Sequence, residues 1–326
     1  MAGCLSQASR AGAGNINQPV FKPQDLLTSS DNIPFAVAVI VLTVLALSLG
    51  DALIKFTSSE FVIWQIFILR SLIAIPCLIL YIVIKERQVL TLPRALLWTS
   101  VRSLLLVSMW ICYYASLPHL SLSVAAACYY TLPIFITLGS AALTGDRVTS
   151  VGWLAVALGF LGVLLILKPS ASNFNWYALL PILSAILYAA AMILTRTKCR
   201  SEHPLLLSLA LNTGFVVVGS VVTIFIATTP TESRQGFLLA PWSQMNLNQW
   251  LAMALLSVAI LIGSIGAAIA YQRAPSSVIG VFDFAYVGFA VLWGALFFSD
   301  YPDIISFTGI GLIVIAGVIS VLRQRS

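Results

Sequence analysis

Charged side chains are scarce in this chain: 9% of its 326 residues are Asp, Glu, Lys or Arg, where a soluble domain carries about a quarter. That shortage excludes an ordinary water-facing surface. Two stretches lack charge altogether, between Arg102 and Asp146 and between Arg234 and Arg273, and each has room for two membrane spans of roughly 20 residues. Histidine is limited to His119 and His203, and neither His-Glu-x-x-His nor Gly-x-Gly-Asp occurs, so the usual metal and diacid sets of an intramembrane enzyme are missing. No Gly-x-x-x-x-Gly-Lys-Ser/Thr loop is present to cradle ATP phosphates. The five cysteines, Cys4, Cys77, Cys112, Cys128 and Cys199, show no metal-type spacing. At least three of them fall inside predicted spans, and a Cys112–Cys128 bridge is the one pairing left open. No metal or cofactor is therefore expected. The excess of positive charge, +6, is scattered singly and does not cluster on one element, so no nucleic-acid partner is expected either.

What the chain has in abundance is apolar surface, with 60% hydrophobic residues and a mean hydropathy of +1.01. The apolar runs are continuous and do not alternate, which favours helices over a β-barrel, since backbone polar groups in lipid must be satisfied within the span. The fold class expected is all-α integral membrane, with ten transmembrane helices. Residues 1–32 are polar and small, and read as a disordered cytoplasmic tail. Asp31 or Asn32 can cap the first helix, about Phe35 to Lys55, with Pro34 in its first turn. Further spans are predicted near 61–84, 96–117, 120–143, 149–167, 175–195, 205–226, 248–271, 276–298 and 303–322. Counting Lys and Arg by alternate loops puts thirteen of the 17 on one side and three, Lys55, Lys168 and Arg234, on the other, with Arg70 inside the second span. Positive residues stay on the cytoplasmic side, so both termini are expected in the cytoplasm and the protein in the inner membrane.

Sliding the chain by 157 residues aligns Tyr114 with Tyr271, Pro118 with Pro275, Tyr129 with Tyr286, Asp146 with Asp303 and Gly152 with Gly309, without a gap. Chance matches among apolar helices fall on Leu, Val and Gly, whereas these include Tyr, Pro and Asp. A shift of five spans, an odd number, makes the two copies face opposite ways across the membrane, an architecture of secondary transporters. The expected halves are residues 33–169 and 174–326.

The segment Thr131-Leu-Pro-Ile-Phe-Ile-Thr-Leu, followed by Gly145-Asp146-Arg147-Val-Thr and then Gly152, Gly159 and Gly162, resembles the EamA type of the drug/metabolite transporter superfamily. There a Pro-containing helix leads to Gly-Glu-Arg and a Gly-spaced final helix; here Asp146 replaces the Glu. The second copy, from Ala274-Pro-Ser-Ser through Asp283 and Tyr286 to Asp300-Tyr-Pro-Asp303, is similar, but its Gly-Glu-Arg has become Ser299-Asp300-Tyr301. The resemblance, over about Ile33 to Arg325, implies a ten-helix basket with a central cavity that works as a secondary carrier without ATP. It does not specify the cargo.

Charge inside a span is costly, at least about 2.5 kcal/mol at mid-bilayer on insertion scales, and so marks function by default. Four residues qualify: Asp51, Arg70, Arg102 and Asp283. At about 1.5 Å rise per residue, Arg102 and Asp283 lie roughly 9 and 10 Å from the cytoplasmic ends of their spans, close enough in depth to pair or jointly hold a zwitterion. Asp51 either pairs with Lys55 at i, i+4 or binds, and Arg70 is read first as a structural bridge to Asp51 or Glu60, or as a snorkelling side chain. Arg102 as a simple interface marker is the bland alternative. Tyr129, Tyr130, Tyr271 and Tyr286, with Trp110 and Tyr114 one turn apart, add hydroxyls and π faces suited to an amphipathic or cationic cargo. Gly263, Gly266 and Ala267 with Ser264 form a small-residue face for close helix packing. The Gly-rich fifth and tenth spans can pack within one chain or between two, which leaves a homodimer open. The expected function is secondary transport of a small zwitterionic or aromatic metabolite, by exchange or proton coupling; an enzyme using Asp51 and Asp283 is the alternative.

Overall fold

The structure, a computed structural model, describes residues 32–57, 61–89, 93–116, 119–120, 125, 128–144, 148–167, 175–228, 230, 236–298 and 303–322. The amino-terminal tail, Gly145-Asp146-Arg147 and Ser299-Asp300-Tyr301 lie outside the described residues, as do Glu60 and the Lys55 side chain. Eleven main helices follow in order: α1 Ile33–Thr57, α2 Ile63–Lys85, α3 Leu96–Ser116, α4 Leu132–Thr144, α5 Ser150–Leu167, α6 Leu179–Thr197, α7 Pro204–Thr228, α8 Leu247–Arg273, α9 Ser276–Phe282, α10 Ala285–Phe298 and α11 Ile304–Leu322. No strand occurs among the described residues. Among the described residues, seven helical stretches are long and apolar enough to cross a membrane, and three shorter apolar helices, α4, α5 and α11, accompany them. Large apolar side chains such as Leu42, Leu80, Val221, Phe225 and Leu255 are exposed around the outside, where only lipid makes their exposure favourable. This is a multi-pass membrane protein.

Local chemistry sets the helix starts. Asn32 caps α1 through its side-chain oxygen on the Phe35 N–H at 3.2 Å, and a capping box of Asn246 and Gln249 opens α8, with both reciprocal bonds present. Asp303 accepts from the Ser306 N–H and hydroxyl at the start of α11.

Two spans expected as unbroken helices, 120–143 and 276–298, are interrupted instead. Before α4, the chain makes a tight turn in which the Thr131 N–H and hydroxyl both reach the Cys128 carbonyl. Pro133 follows, and it has no N–H with which to continue a helix from residue 129. Between α9 and α10, Tyr286 and Val287 donate to the carbonyls of Asp283 and Phe284, i→i+3 bonds that replace the α-helical pattern for one turn. No Pro or Gly marks this second break, and hydropathy runs straight through it.

The helices pack in pairs: α5 with α11, α1 with α8, α3 with α6, α2 with α7, α1 with α10, α4 with α6, α3 with α7, α2 with α8, and α4 with α9. The small-residue face of α8 behaves as expected, since Gly263 and Gly266 meet Leu47 and Thr43 of α1. Gly162 of α5 lies against α11, where an added Cβ would stand 2.5 Å from the Gly309 carbonyl and 2.9 Å from Ile313. These glycine faces are used within one chain. Cys112 and Cys128 are free thiols.

Two sets of hydrogen bonds close the ends of the bundle. At the end where α1 begins, the Asn32 N–H donates to the Arg273 carbonyl at 3.0 Å, the Ala95 N–H donates to Glu202 at 2.8 Å, and Gln272 donates to the Cys199 and Glu202 carbonyls. At the opposite end Trp64 donates to the Leu238 carbonyl at 2.7 Å, Gln65 exchanges two bonds with the Ser243 backbone, and Asn175 donates to the His119 carbonyl.

A substitution separates close packing from open space. Gly162→Val forces α5 and α11 apart, and overpacking of this kind lowers stability by about 1–3 kcal/mol. Gly311, with nothing within 4 Å of its built Cβ, tolerates Gly311→Ala; thermal melts of the two purified variants are expected to differ accordingly.

Candidate functional site

Helices α1, α3, α6 and α8 enclose a central cavity of about 80 Å³, bordered also by the turn before α4 and the break between α9 and α10. Non-helical backbone at membrane depth is tolerated only where protein or a water-filled space surrounds it, and both interruptions meet that condition here. The volume admits several waters but is well below the roughly 300 Å³ at which sites for drug-sized ligands begin. One wall is apolar, with Val44, Leu47, Leu106, Met109, Met192, Leu211 and Ile260. The rest is polar and aromatic, with Asp51, Arg102, Tyr113, Tyr129, Tyr130, Tyr188, Ser264, Asp283 and Tyr286.

Seven of the ten tyrosines in the sequence belong to one connected cluster in and behind this cavity. Tyr113 lies 5.2 Å from Tyr129, and Tyr130 lies 5.3 Å from Tyr286, measured between ring centroids. Tyr129 continues to Tyr188 and Tyr188 to Tyr271, edge to face. Trp110 stacks on Tyr114 at 5.3 Å and 17°. Such contacts fix ring orientation beyond simple area burial, and here they aim hydroxyls at two carboxylates.

Asp51 of α1 accepts from the Tyr114 hydroxyl at 3.3 Å and from the Tyr286 hydroxyl. Asp283, only 4% exposed at the α9–α10 break, accepts from the Tyr271 hydroxyl. Tyr114 and Tyr271 are the pair that the 157-residue shift aligns, so matched tyrosines perform matched tasks on carboxylates that are not themselves matched. Tyr286 comes from the second half of the chain and holds an aspartate of the first.

Neither arginine pairs with the aspartate that the sequence offered it, and the Glu60 alternative for Arg70 lies outside the described residues. Arg102 is fully buried and is no interface marker. It does not pair with Asp283 but donates through Nε to the Thr195 hydroxyl at 2.6 Å, with Nη1 3.5 Å from the Leu207 carbonyl. It thus joins α3 to α6 and α7 at the edge of the cavity. Arg70 forms no bridge to Asp51. Its guanidinium lies over the rings of Phe67, Phe215 and Trp110 at 4.9, 4.6 and 5.8 Å, and it lines a smaller space beside the cavity that Asp51 also reaches.

Of the residues singled out in the sequence, Asp51, Arg102, Trp110, Tyr129, Tyr130, Asp283 and Tyr286 line the cavity, while Tyr114 and Tyr271 stand behind it and orient the carboxylates. Tyr113, Tyr188, Met109, Met192 and Ser264 line it too, and only Ser264 had drawn notice, as a packing residue. Tyr188 and Met192 were within reach, because they sit one helical turn apart on the face of α6 that also carries Ser184 and Thr195. Ser264 bonds Ser208 at 2.6 Å, tying α8 to α7.

A lipid-exposed helical bundle around a central chamber of apolar and aromatic side chains, with ionisable groups held there by hydroxyls, has the features of a multi-pass membrane transporter. Residues 34–168 match the EamA-like transporter family, and this match together with the relatives below supports a permease of the drug/metabolite transporter superfamily. Across 90% of its length it is 26% identical to the pseudopaline exporter CntI of Pseudomonas aeruginosa strain UCBPP-PA14, covering 98% of that protein. It is 29% identical to a riboflavin transporter of Rhizobium johnstonii over 65% of each chain. A riboflavin transporter of Brucella anthropi is 26% identical over 68% of this chain and 73% of its own. A solved crystal structure superposes with a TM-score of 0.72 at 18% identity, covering 90% of this chain and 99% of the other, which carries the fold alone.

The tyrosine clasp gives a coupled prediction. Tyr271→Phe strips the described hydrogen bond from a buried carboxylate and should lower stability by about 1–3 kcal/mol. Adding Asp283→Leu removes the group left unsatisfied, so the double variant should melt above Tyr271→Phe alone. Strictly additive losses in the melting temperatures would mean the two side chains are not coupled.

Proposed function

We propose that the chain carries a small organic metabolite, zwitterionic or aromatic, across the inner membrane by alternating access, with ten spans arranged as two inverted five-helix repeats. The single observation that carries the cargo reading is the pair of carboxylates, Asp51 and Asp283, opening on one aromatic chamber. Carboxylates and tyrosine π faces together suit a cargo with a cationic group and flat or apolar surface, and Asp51, Asp283, Tyr129, Tyr130, Tyr286, Trp110 and Arg102 form its wall. The relatives' names, exporter in one case and transporter in others, support movement of metabolites without fixing direction.

Packing supports the inverted repeat. If α1 to α5 exchange with α6, α7, α8, α9–α10 and α11, the α1–α8 contact becomes α6–α3, α1–α10 becomes α6–α4, and α3–α7 becomes α8–α2, while α2–α7 and α5–α11 map onto themselves. Each of these contacts exists. An exchange of this kind makes two nearly equal packings available, one open to each side. The end-closing hydrogen bonds are consistent with ten crossings, since every bonded pair joins loops that alternation puts on one side. Lys and Arg counts assign the Asn32–Arg273 and Ala95–Glu202 end to the cytoplasm. Those bonds part in the inward-open form, and the Trp64–Leu238 and Gln65–Ser243 bonds part in the outward-open form.

The test is uptake into proteoliposomes of a labelled panel that includes amino acids, riboflavin and pseudopaline, with and without cargo inside and with an imposed pH gradient. Saturable uptake stimulated by internal cargo or by the gradient is expected. Asp283→Asn is expected to change uptake and its pH dependence. Normal transport with unchanged pH dependence in that variant would remove Asp283 from the mechanism.

A further inference from the structure

Arg70 is buried to 3% exposure, and its Nε and Nη2 have no hydrogen-bond partner among the described residues. The contrast with Arg102 is sharp, because Arg102 is equally buried yet donates to Thr195. Three aromatic rings surround the Arg70 guanidinium. Their π faces attract its charge, but they offer no acceptor for N–H groups that point in the guanidinium plane. A buried charged donor left in this condition is unfavourable in every conformation unless something else accepts from it.

The space in front of the guanidinium is small, about 10 Å³, and is lined by Asp51, Trp110, Leu256 and Ile260 among others. Asp51, Trp110 and Ile260 line the central cavity as well, so the two spaces share one wall. Trp110 stands in that wall: it is half-buried, lies 5.8 Å from the guanidinium, and stacks on the Tyr114 ring whose hydroxyl holds Asp51. A displacement of the indole would merge the two spaces and bring the unused donors into the chamber.

We propose that Arg70 is the carboxylate-binding residue of the cargo site, reached from the central cavity past Trp110. The inference rests on the transport reading and deepens it. A guanidinium presents a planar fork that matches a carboxylate with two parallel hydrogen bonds. With Asp51 and Asp283 available for a cationic group, the site then selects a zwitterion that carries both charges, and it disfavours a cargo with an amine alone.

The test is binding to the purified full-length chain in lipid nanodiscs, at constant ionic strength, read by melting temperature and by tryptophan fluorescence. The probes are acetate, glycine, glycinamide and chloride. Acetate and glycine should raise the melting temperature saturably and change the fluorescence, while glycinamide, which lacks the carboxylate, should not. Arg70→Lys should weaken the carboxylate response about tenfold or more, since the fork is lost and the charge kept. Arg70→Met should abolish it and yet melt no lower than the unsubstituted chain, because it removes an unsatisfied buried charge. A purely structural arginine would move the second readout the other way. The proposal is overturned by an undiminished carboxylate response in Arg70→Met, by a large drop in that variant's melting temperature, by an equal saturable response to chloride, or by no response to either carboxylate. No transport step enters this measurement, so its failure leaves the carrier reading standing, and a failure of uptake leaves the binding result standing.

Discussion

Two carboxylates inside a membrane bundle are the constraint on which the rest of this structure turns. Water cannot satisfy Asp51 and Asp283 freely, and removing an ionisable group from water is tolerated only with hydrogen-bonding partners. The partners here are phenolic hydroxyls, from Tyr114 and Tyr286 on one aspartate and Tyr271 on the other. Tyrosine suits the task because its ring is at home among apolar neighbours while its hydroxyl donates one hydrogen bond. A lysine or arginine in its place would neutralise the carboxylate and leave no charge to offer a cargo. The Tyr286 bond also ties a residue late in the chain to α1 near its start.

The helix interruptions border the same chamber. Asp51 projects from the unbroken α1, whereas Asp283 sits where α9 gives way to α10 and its side chain reaches Tyr271. The turn before α4 places Tyr129 and Tyr130 on the same chamber. Around these breaks the long helices α1, α3, α6 and α8 supply a rigid frame, with α8 fitted closely to α1 through glycine. Polar groups are thus concentrated at the centre, and apolar side chains face outward, where lipid replaces water as solvent.

Much of this was legible in the sequence, and the limits have physical causes. Continuous apolar runs and scattered charge revealed the helices to within a few residues except at the two interrupted spans, because lipid selects strongly on composition. The matched Tyr114 and Tyr271 were visible through the internal repeat. Their partners were not, since the positions related to Asp51 and Asp283 by the same shift are Ser208 and Ala126. The break at Asp283 was hidden because nothing but a change from i→i+4 to i→i+3 bonding makes it, and hydropathy is blind to that. Arg102 and Asp283 seemed fit to pair because their depths agree, but depth does not say which way a side chain turns around its helix. Composition does not set Tyr188 apart from the other aromatic residues; its place on the cavity-facing side of α6 does.

The account stands most directly on whether the chamber is reached from each side in turn. A single cysteine introduced by Met109→Cys, in a chain freed of its native thiols and sealed in proteoliposomes, can be challenged with a membrane-impermeant thiol reagent from either side while cargo or a pH gradient is varied. The account predicts labelling from both sides, with conditions that raise one rate lowering the other. Labelling from one side only under every condition, or rates that rise together on both sides, would contradict it.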